Sequence, residues 1–180
     1  MRKDAPGPGA GLSLVELLAS TAVLAILLGL SMPTFSETLR RMRVASAMHQ
    51  LGAQLAQARN TAITRRTVVT LCPSAGGARC RQDADWSSGW LLYRDPARGD
   101  HPRSADDVLA EVRTPFHDSV RVSASAGRLR VRFQPDGRSG GSNLTLKVCS
   151  GSELQGEVIV NNVGRARSHR IASGLPCPAS

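Results

Sequence analysis

The stretch Gly11-Leu12-Ser13-Leu14-Val15-Glu16 opens an apolar run that continues from Leu17 to Met32. Two basic residues, Arg2 and Lys3, stand shortly before it. A secretory signal peptide places its small-residue cleavage site after the apolar run. Here the suitable small residue, Gly11, comes before the run. Cleavage after Gly11 would therefore leave the apolar segment attached to the remaining chain.

The segment 12–33 predicts a membrane-spanning helix. At about 1.5 Å per residue it is long enough to cross a hydrocarbon core of about 30 Å. The basic residues before it predict a cytoplasmic N-terminus and a periplasmic location for everything after Pro33. Glu16 lies inside the start of this helix and has two interpretations. It is either an acid favoured by the helix dipole or a charge at membrane depth that requires a partner.

The rest of the 180-residue chain is long enough for one compact domain, and the formal net charge is +9. The charge is uneven, because residues 71–120 carry six basic and eight acidic side chains, whereas residues 121–180 carry nine basic and three acidic ones. A strongly basic last third favours a polyanionic partner such as nucleic acid. The alternative is an arginine-rich composition throughout the proteome, but the acidic middle argues against it.

Beyond Pro33, apolar residues recur every three or four positions, which predicts an amphipathic continuation of the helix over residues 34–66. The expected apolar face comprises Phe35, Leu39, Met42, Ala45, Met48, Leu51, Leu55, Ala58 and Ala62. From residue 67 the period changes to two, which predicts a β-rich domain over 67–180. The predicted strands are 68–72, 90–93, 108–113, 119–123, 128–133, 143–149, 156–162 and 164–171. A helix followed by antiparallel strands predicts an α+β fold.

The chain has four cysteines, Cys72, Cys80, Cys149 and Cys177. An even number in a periplasmic domain predicts two disulfides. Three pairings are possible, and we favour the pairs closest in sequence, Cys72 with Cys80 and Cys149 with Cys177. Neither the cysteines nor the four histidines have metal-ligand spacing, and no catalytic motif is present. We therefore expect no metal, no cofactor and no enzymatic activity.

The leader resembles that of type IV pilins and type II secretion pseudopilins: Gly11 at the cut, Glu16 five residues after it, and Pro33 closing the apolar segment. The usual phenylalanine after the cut is Leu12 here. The resemblance implies the type IV pilin fold and an inner-membrane anchor that enters a filament with other pilin subunits. It also implies a prepilin peptidase that cleaves after Gly11 and methylates Leu12. In this setting Glu16 is expected to pair with an N-terminal amine during filament assembly.

A longer pattern is similar to the FimT-like branch of the GspH/FimT family. It joins the segment 56–63, the strand before Cys72, the Trp86 and Trp90 region, and the stretch Gly164-Arg165-Ala166-Arg167. The resemblance implies that this last stretch binds DNA during natural transformation, because members of the branch bind DNA through a Gly-Arg-x-Arg motif.

The residues themselves support two interpretations of this motif. Gly164 permits a turn, and Arg165 and Arg167 in an extended segment project from one side, about 6.6 Å apart. His169 shares that side and adds charge at low pH, while Arg170 lies on the other face. Guanidinium groups bind phosphate oxygens bidentately, so the motif suits duplex DNA. The alternative is an edge strand whose positive charge discourages aggregation.

A secondary basic patch, Arg128, Arg130 and Arg132, has the same alternating spacing. It is either a supporting basic surface or a solvated sheet face, and we favour the solvated face. Leu129, Val131 and Phe133 are expected to face the core. Aromatic residues make up only 3% of the chain, which argues against recognition of single strands by base stacking.

Three functions fit this sequence: a DNA-binding minor pilin, a structural pseudopilin that primes a pilus or a type II secretion filament, and a filament-tip adhesin or substrate-recruiting subunit. They share the leader and the fold. They differ in whether the C-terminal arginines bind DNA, which the resemblance favours.

Overall fold

The computed structural model describes residues 13–113, 115–125, 127–141, 143–172 and 174–178, without the side chains of residues 30–34. One helix, α1, spans Leu14–Arg65, which confirms the predicted long helix over these residues. The chain divides into two compact units, one ending at Leu39 and the other covering Arg40–Ser180. We call the second unit the head.

In the first unit, most of the apolar side chains that the structure describes are exposed. Leu14 and Ile26, for example, have relative exposures of 76% and 63%. Among the described residues, no helix combines the length and the apolar character required to cross a membrane. The membrane-spanning segment 12–33 stays a prediction.

In the head, α1 buries one stripe of side chains against the sheets. Met48, Leu51 and Leu55 are buried as expected. The predicted start of the stripe is wrong, since Phe35 and Met42 are 66% and 62% exposed. The buried stripe instead begins with Val44 and Ala47 and continues through Ala58 and Ala62.

Strands follow α1 in two antiparallel sheets, which confirms the α+β class. The first sheet has the order β3-β2-β1-β5 and the second the order β4-β6-β7-β8. Because β8 stands at the outer edge of the second sheet, it pairs only with β7. The strands are β1 Val69–Pro73, β2 Gly89–Arg94, β3 Val108–Arg113, β4 Val120–Ala124, β5 Val131–Phe133, β6 Leu144–Ser150, β7 Glu153–Val160 and β8 Ala166–Arg170.

The predicted strand 128–133 is too long, because β5 begins only at Val131. In the β1–β5 register, Val131 pairs with Leu71, so Leu129 would come opposite Pro73. Proline has no N–H to donate, and the Pro73 carbonyl already accepts from the backbone N–H of Arg81 at 2.7 Å. The ladder therefore stops before residues 128–130, which are half-buried loop residues.

Both predicted disulfides are confirmed. The loop disulfide, Cys72–Cys80, closes the loop that follows β1. The tail disulfide, Cys149–Cys177, joins β6 to the C-terminal tail. The tail is also bound through its backbone, since the N–H of Leu154 donates to the carbonyl of Leu175 at 2.9 Å. The polypeptide that contains β7 and β8 is therefore held at both ends.

Candidate nucleic-acid interface

Two turns of the same construction lie next to each other in the head. In the first, residues 134–138, the N–H of Gly137 donates to the carbonyl of Gln134 and the N–H of Gln134 donates to the carbonyl of Arg138, both at 2.8 Å. In the second, residues 161–165, the corresponding bonds are Gly164 to Asn161 at 2.9 Å and Asn161 to Arg165 at 3.1 Å. The last two residues of each turn are thus a glycine and an exposed arginine. We call them the twin turns.

The glycines of the twin turns are required for two reasons. Gly137 and Gly164 both have φ of +79°, in the left-handed region that favours glycine. A Cβ at Gly164 would also overlap the carbonyl oxygen of Gly137. The turns are further joined by a hydrogen bond from the N–H of Ser139 to the carbonyl of Asn162 at 3.0 Å. The glycine of the Gly164-Arg165-Ala166-Arg167 motif therefore permits close backbone packing.

Arg59 of α1 reaches this junction. Its Nε donates to the carbonyl of Gly137 at 3.0 Å, and a Cβ at Gly164 would lie 3.4 Å from the same nitrogen. The helix, the first turn and the second turn thus meet around one guanidinium group.

A cleft of about 480 Å³ lies between this part of α1 and the start of β8. Its lining includes three arginines, Arg59, Arg165 and Arg167, and one histidine, His49. It includes no carboxylate. The helix contributes the small residues Gly52, Ala53 and Ala56 to the wall, together with the larger Met48 and Asn60.

The structure brings Arg165 and Arg167 to one cleft, although only Arg167 lies in a regular strand. β8 begins at Ala166, so the predicted strand over 164–171 is longer than the observed one. Arg165 belongs to the second turn, where its N–H donates to Oδ1 of Asn161 at 2.9 Å. Both arginines are exposed. Within the described ranges, neither side chain has an ion-pair partner.

The other two predicted residues of β8, His169 and Arg170, do not line the cleft. His169 pairs across the ladder with Glu157, and its Nε2 lies 3.6 Å from Oε2 of that carboxylate. His169 therefore lies beside a carboxylate. Arg170 pairs with Gly156 at the end of β8. It lies on the opposite face of the strand from Arg167, as predicted from the spacing.

The secondary basic patch is not a row of free cations. Arg132 donates through Nε to Oδ2 of the buried Asp95 at 2.9 Å. Arg130 bonds the carboxylate of Asp100. Arg128 donates to the hydroxyl of Ser139 at 2.6 Å. Burial, with the neighbouring charge of Arg132, lowers the pKa of Arg128. Arg132 bonds a loop to β5, whereas Arg128 and Arg130 bond one loop to another, so neither sequence interpretation describes the three fully.

Sequence reasoning missed Arg59 as a lining residue of the cleft, and it missed the contact between the two turns. Arg59 is assigned to the polar side of α1 by its position, and nothing local shows that Gly137 lies beside it. Arg138 carried a usable signal, because Gly137-Arg138 repeats the glycine–arginine pair of Gly164-Arg165. The repeat indicates two similar turns, but their contact depends on the tertiary fold.

The remaining predicted sites have different outcomes. Gly11 and Leu12 lie outside the described residues. Glu16 is exposed in the first turn of α1, and its pairing with an amine stays a prediction. Over the described part of the chain, no three His, Cys, Asp or Glu side chains are grouped as metal ligands would be. The expectation of no enzymatic activity also stays a prediction.

The architecture is similar to that of solved pilin structures. The crystal structure of the type IV minor pilin FimU of Pseudomonas aeruginosa PAO1 matches with a TM-score of 0.52 and 17% identity, covering 74% of this chain and 96% of that one. A second crystal form of FimU matches with a TM-score of 0.50 and 17% identity, covering 72% and 98%. A long N-terminal helix followed by antiparallel sheets is thus the type IV pilin fold, the fold of minor pilins and pseudopilins.

The family model described as type II transport protein GspH matches residues 47–164, well over half of the chain. The chain belongs to the GspH family. The matched region includes Arg59 and ends at Gly164. Arg165 and Arg167 therefore lie just outside it. Family membership implies association with other pilin subunits. A search of curated proteins finds no match.

Proposed function

We propose that the chain is a minor pilin of the FimT-like branch that binds duplex DNA without sequence preference and aids DNA uptake in natural transformation. The observation that carries the proposal is the cleft beside the twin turns, which is lined by Arg59, Arg165 and Arg167 and by no carboxylate. The phosphate backbone supplies most of non-specific DNA affinity, and a group of unpaired guanidiniums matches it.

The fold supports backbone binding over base recognition. Among the described residues, the proposed site consists of an edge strand, two turns and one side of α1, and it includes no short α-helix that could enter the major groove. Four of its aromatic side chains, Trp86, Trp90, Tyr93 and Phe133, are fully buried. They are therefore unavailable for stacking on bases, which is the main mode of single-strand recognition.

A salt titration of DNA binding tests the proposal. The two motif arginines and one neighbouring cation give about three phosphate contacts, so log K should fall against log salt with a slope of about −3 on duplex DNA. Replacing both Arg165 and Arg167 by Gln should remove about two thirds of that slope. The matched control replaces Arg79 and Arg103, two exposed arginines away from the cleft, and should leave the slope unchanged. A flat salt response of the wild-type protein would refute DNA binding.

A structural role is the second candidate, favoured by the family description as a type II transport protein. In this case the chain primes a pilus or a secretion filament and the arginines do not bind DNA. Cells carrying the Arg165→Gln/Arg167→Gln variant distinguish the two. Loss of transformation with intact pili supports the DNA-binding function, whereas loss of secretion or of pili supports the structural one.

The N-terminal residues belong to the same proposal. Prepilin peptidase cleaves after Gly11 and methylates Leu12, residues 12–33 anchor the chain in the inner membrane, the head lies in the periplasm, and Glu16 pairs with an N-terminal amine in the filament. Mass spectrometry of the mature N-terminal peptide should show a methylated Leu12. A peptide that still begins at Met1 in cells with an active peptidase would contradict this processing.

A further inference from the structure

Arg59, on α1, contacts the first of the twin turns. Its Nε is engaged with the carbonyl of Gly137 at 3.0 Å, and the side chain is half-buried. Within the part of the chain that the structure describes, its two η nitrogens have no hydrogen-bond partner. The guanidinium is therefore held in place through Nε, while its two η nitrogens are available to bind a ligand.

We propose that Arg59 is a third phosphate-binding residue of the DNA site, contacting the same backbone as Arg165 and Arg167. This inference rests on the proposed function. The third cation in the salt titration, beside the two motif arginines, is then Arg59, a helix residue that precedes the motif by more than a hundred positions.

The geometry supports a direct contact. A guanidinium binds a phosphate with two nitrogens at once, and with Nε bonded to Gly137 the remaining pair is formed by the two η nitrogens. Arg59 lines the cleft together with Arg165 and Arg167. It approaches Gly164 so closely that a Cβ there would lie 3.4 Å from its Nε. The motif glycine thus leaves room for the helix cation beside the motif arginines.

The competing role is purely structural, in which Arg59 only ties α1 to the first turn. Glutamine separates the two roles, because its Nε2 follows Cδ in the side chain as Nε does in arginine. Arg59→Gln therefore keeps a donor for the Gly137 carbonyl and removes the positive charge and both η nitrogens. Arg59→Met removes the donor as well.

The experiment measures duplex DNA binding by the full chain in a mild detergent, across a range of salt concentrations. Losing one phosphate contact should reduce the magnitude of the log–log slope by about 0.9. At about 0.1 M salt, tenfold below a 1 M reference, this corresponds to an affinity about eightfold weaker. Arg59→Gln should show both changes with an unchanged unfolding midpoint. Arg65→Gln, in the last turn of the same helix and outside the cleft, should show neither.

The outcomes are distinguishable. If Arg59→Gln weakens binding but leaves the salt slope unchanged, Arg59 acts only by positioning the turns and the inference is wrong. If Arg165→Gln lowers the slope while Arg59→Gln changes nothing, DNA binding stands and the inference alone fails. If the wild-type chain does not bind DNA, the proposed function fails first. A lower midpoint in Arg59→Met alone, with normal binding in Arg59→Gln, also overturns the inference.

Discussion

Replacing Gly164 by alanine is expected to destabilise the head more than the same change at Gly151. The φ angles are +79° and +61°, so alanine at either position costs about 1 kcal/mol for the left-handed backbone. At Gly151 a Cβ would meet no atom within 4 Å. At Gly164 it would overlap the carbonyl of Gly137, a backbone group that cannot rotate away.

The overlap must push the twin turns apart. This breaks the two hydrogen bonds that join the turns to each other and to α1. These are Ser139 N–H to the Asn162 carbonyl and Arg59 Nε to the Gly137 carbonyl, each at 3.0 Å. At about 1 kcal/mol per bond, the total for Gly164→Ala is about 3 kcal/mol. Gly137→Ala should be intermediate at about 2 kcal/mol, because its Cβ would meet the flexible side chains of Arg59 and Ile63.

Urea unfolding of the head measures this series. The head is suitable because it contains both disulfides and every buried residue of the two hydrophobic clusters. Under conditions where the variants are folded, DNA affinity should fall for Gly164→Ala and stay unchanged for Gly151→Ala. Equal destabilisation at the two glycines would show that the turns do not pack on each other, and the reasoning would be refuted.

Three further predictions concern stability. Removing the tail disulfide should destabilise the head by about 3.6 kcal/mol and removing the loop disulfide by about 2.5 kcal/mol, because they span 28 and 8 residues; a reversed order in urea unfolding would contradict this. Burial, and then the charge of Asp95, raises the pKa of the Tyr93 phenol above its ordinary value of about 10. The stability that the neutral phenol contributes to the fold is therefore fully present below pH 10 and is lost as pH rises through the native pKa. As Tyr93 is the only tyrosine, phenolate absorbance should show a higher midpoint in folded than in urea-unfolded protein, and Tyr93→Phe should abolish the signal. Asp95→Ala removes a buried carboxylate that accepts from Arg132, from the Thr70 hydroxyl and from the Gly99 N–H; at about 1 kcal/mol per bond it should cost about 3 kcal/mol in urea unfolding, and replacing Arg132 by Met as well should recover part of it.

Local patterns predicted much of the fold. The helix and the positions of most strands along the chain follow from periodicity, and the two disulfides are the pairs closest in sequence. A turn at Gly164 was also predicted from the glycine, whereas the role of the Gly164-Arg165-Ala166-Arg167 stretch came from its resemblance to the family motif. These features depend on residues that are close in sequence, so the sequence contains the necessary information.

The errors arise where a partner elsewhere in the chain decides the outcome. The alternating segment 128–133 has the pattern of a strand, but Pro73 on β1 cannot extend the ladder to it. The apolar spacing of α1 permitted Met42 on the buried face, whereas the sheets cover Val44 instead. In both cases the local pattern permits a structure that the neighbouring strand or sheet does not complete.

The pairing of charges shows why net charge alone could not identify the site. Several arginines of the head have a carboxylate within 4 Å: Arg40, Arg81, Arg94, Arg113, Arg130 and Arg132. Those arginines add little net attraction for a polyanion, because their charges are balanced locally. The arginines around the cleft have no such carboxylate among its lining residues, so positive charge at the proposed site is not balanced locally. A basic composition thus becomes a binding surface only where the fold leaves its cations unpaired.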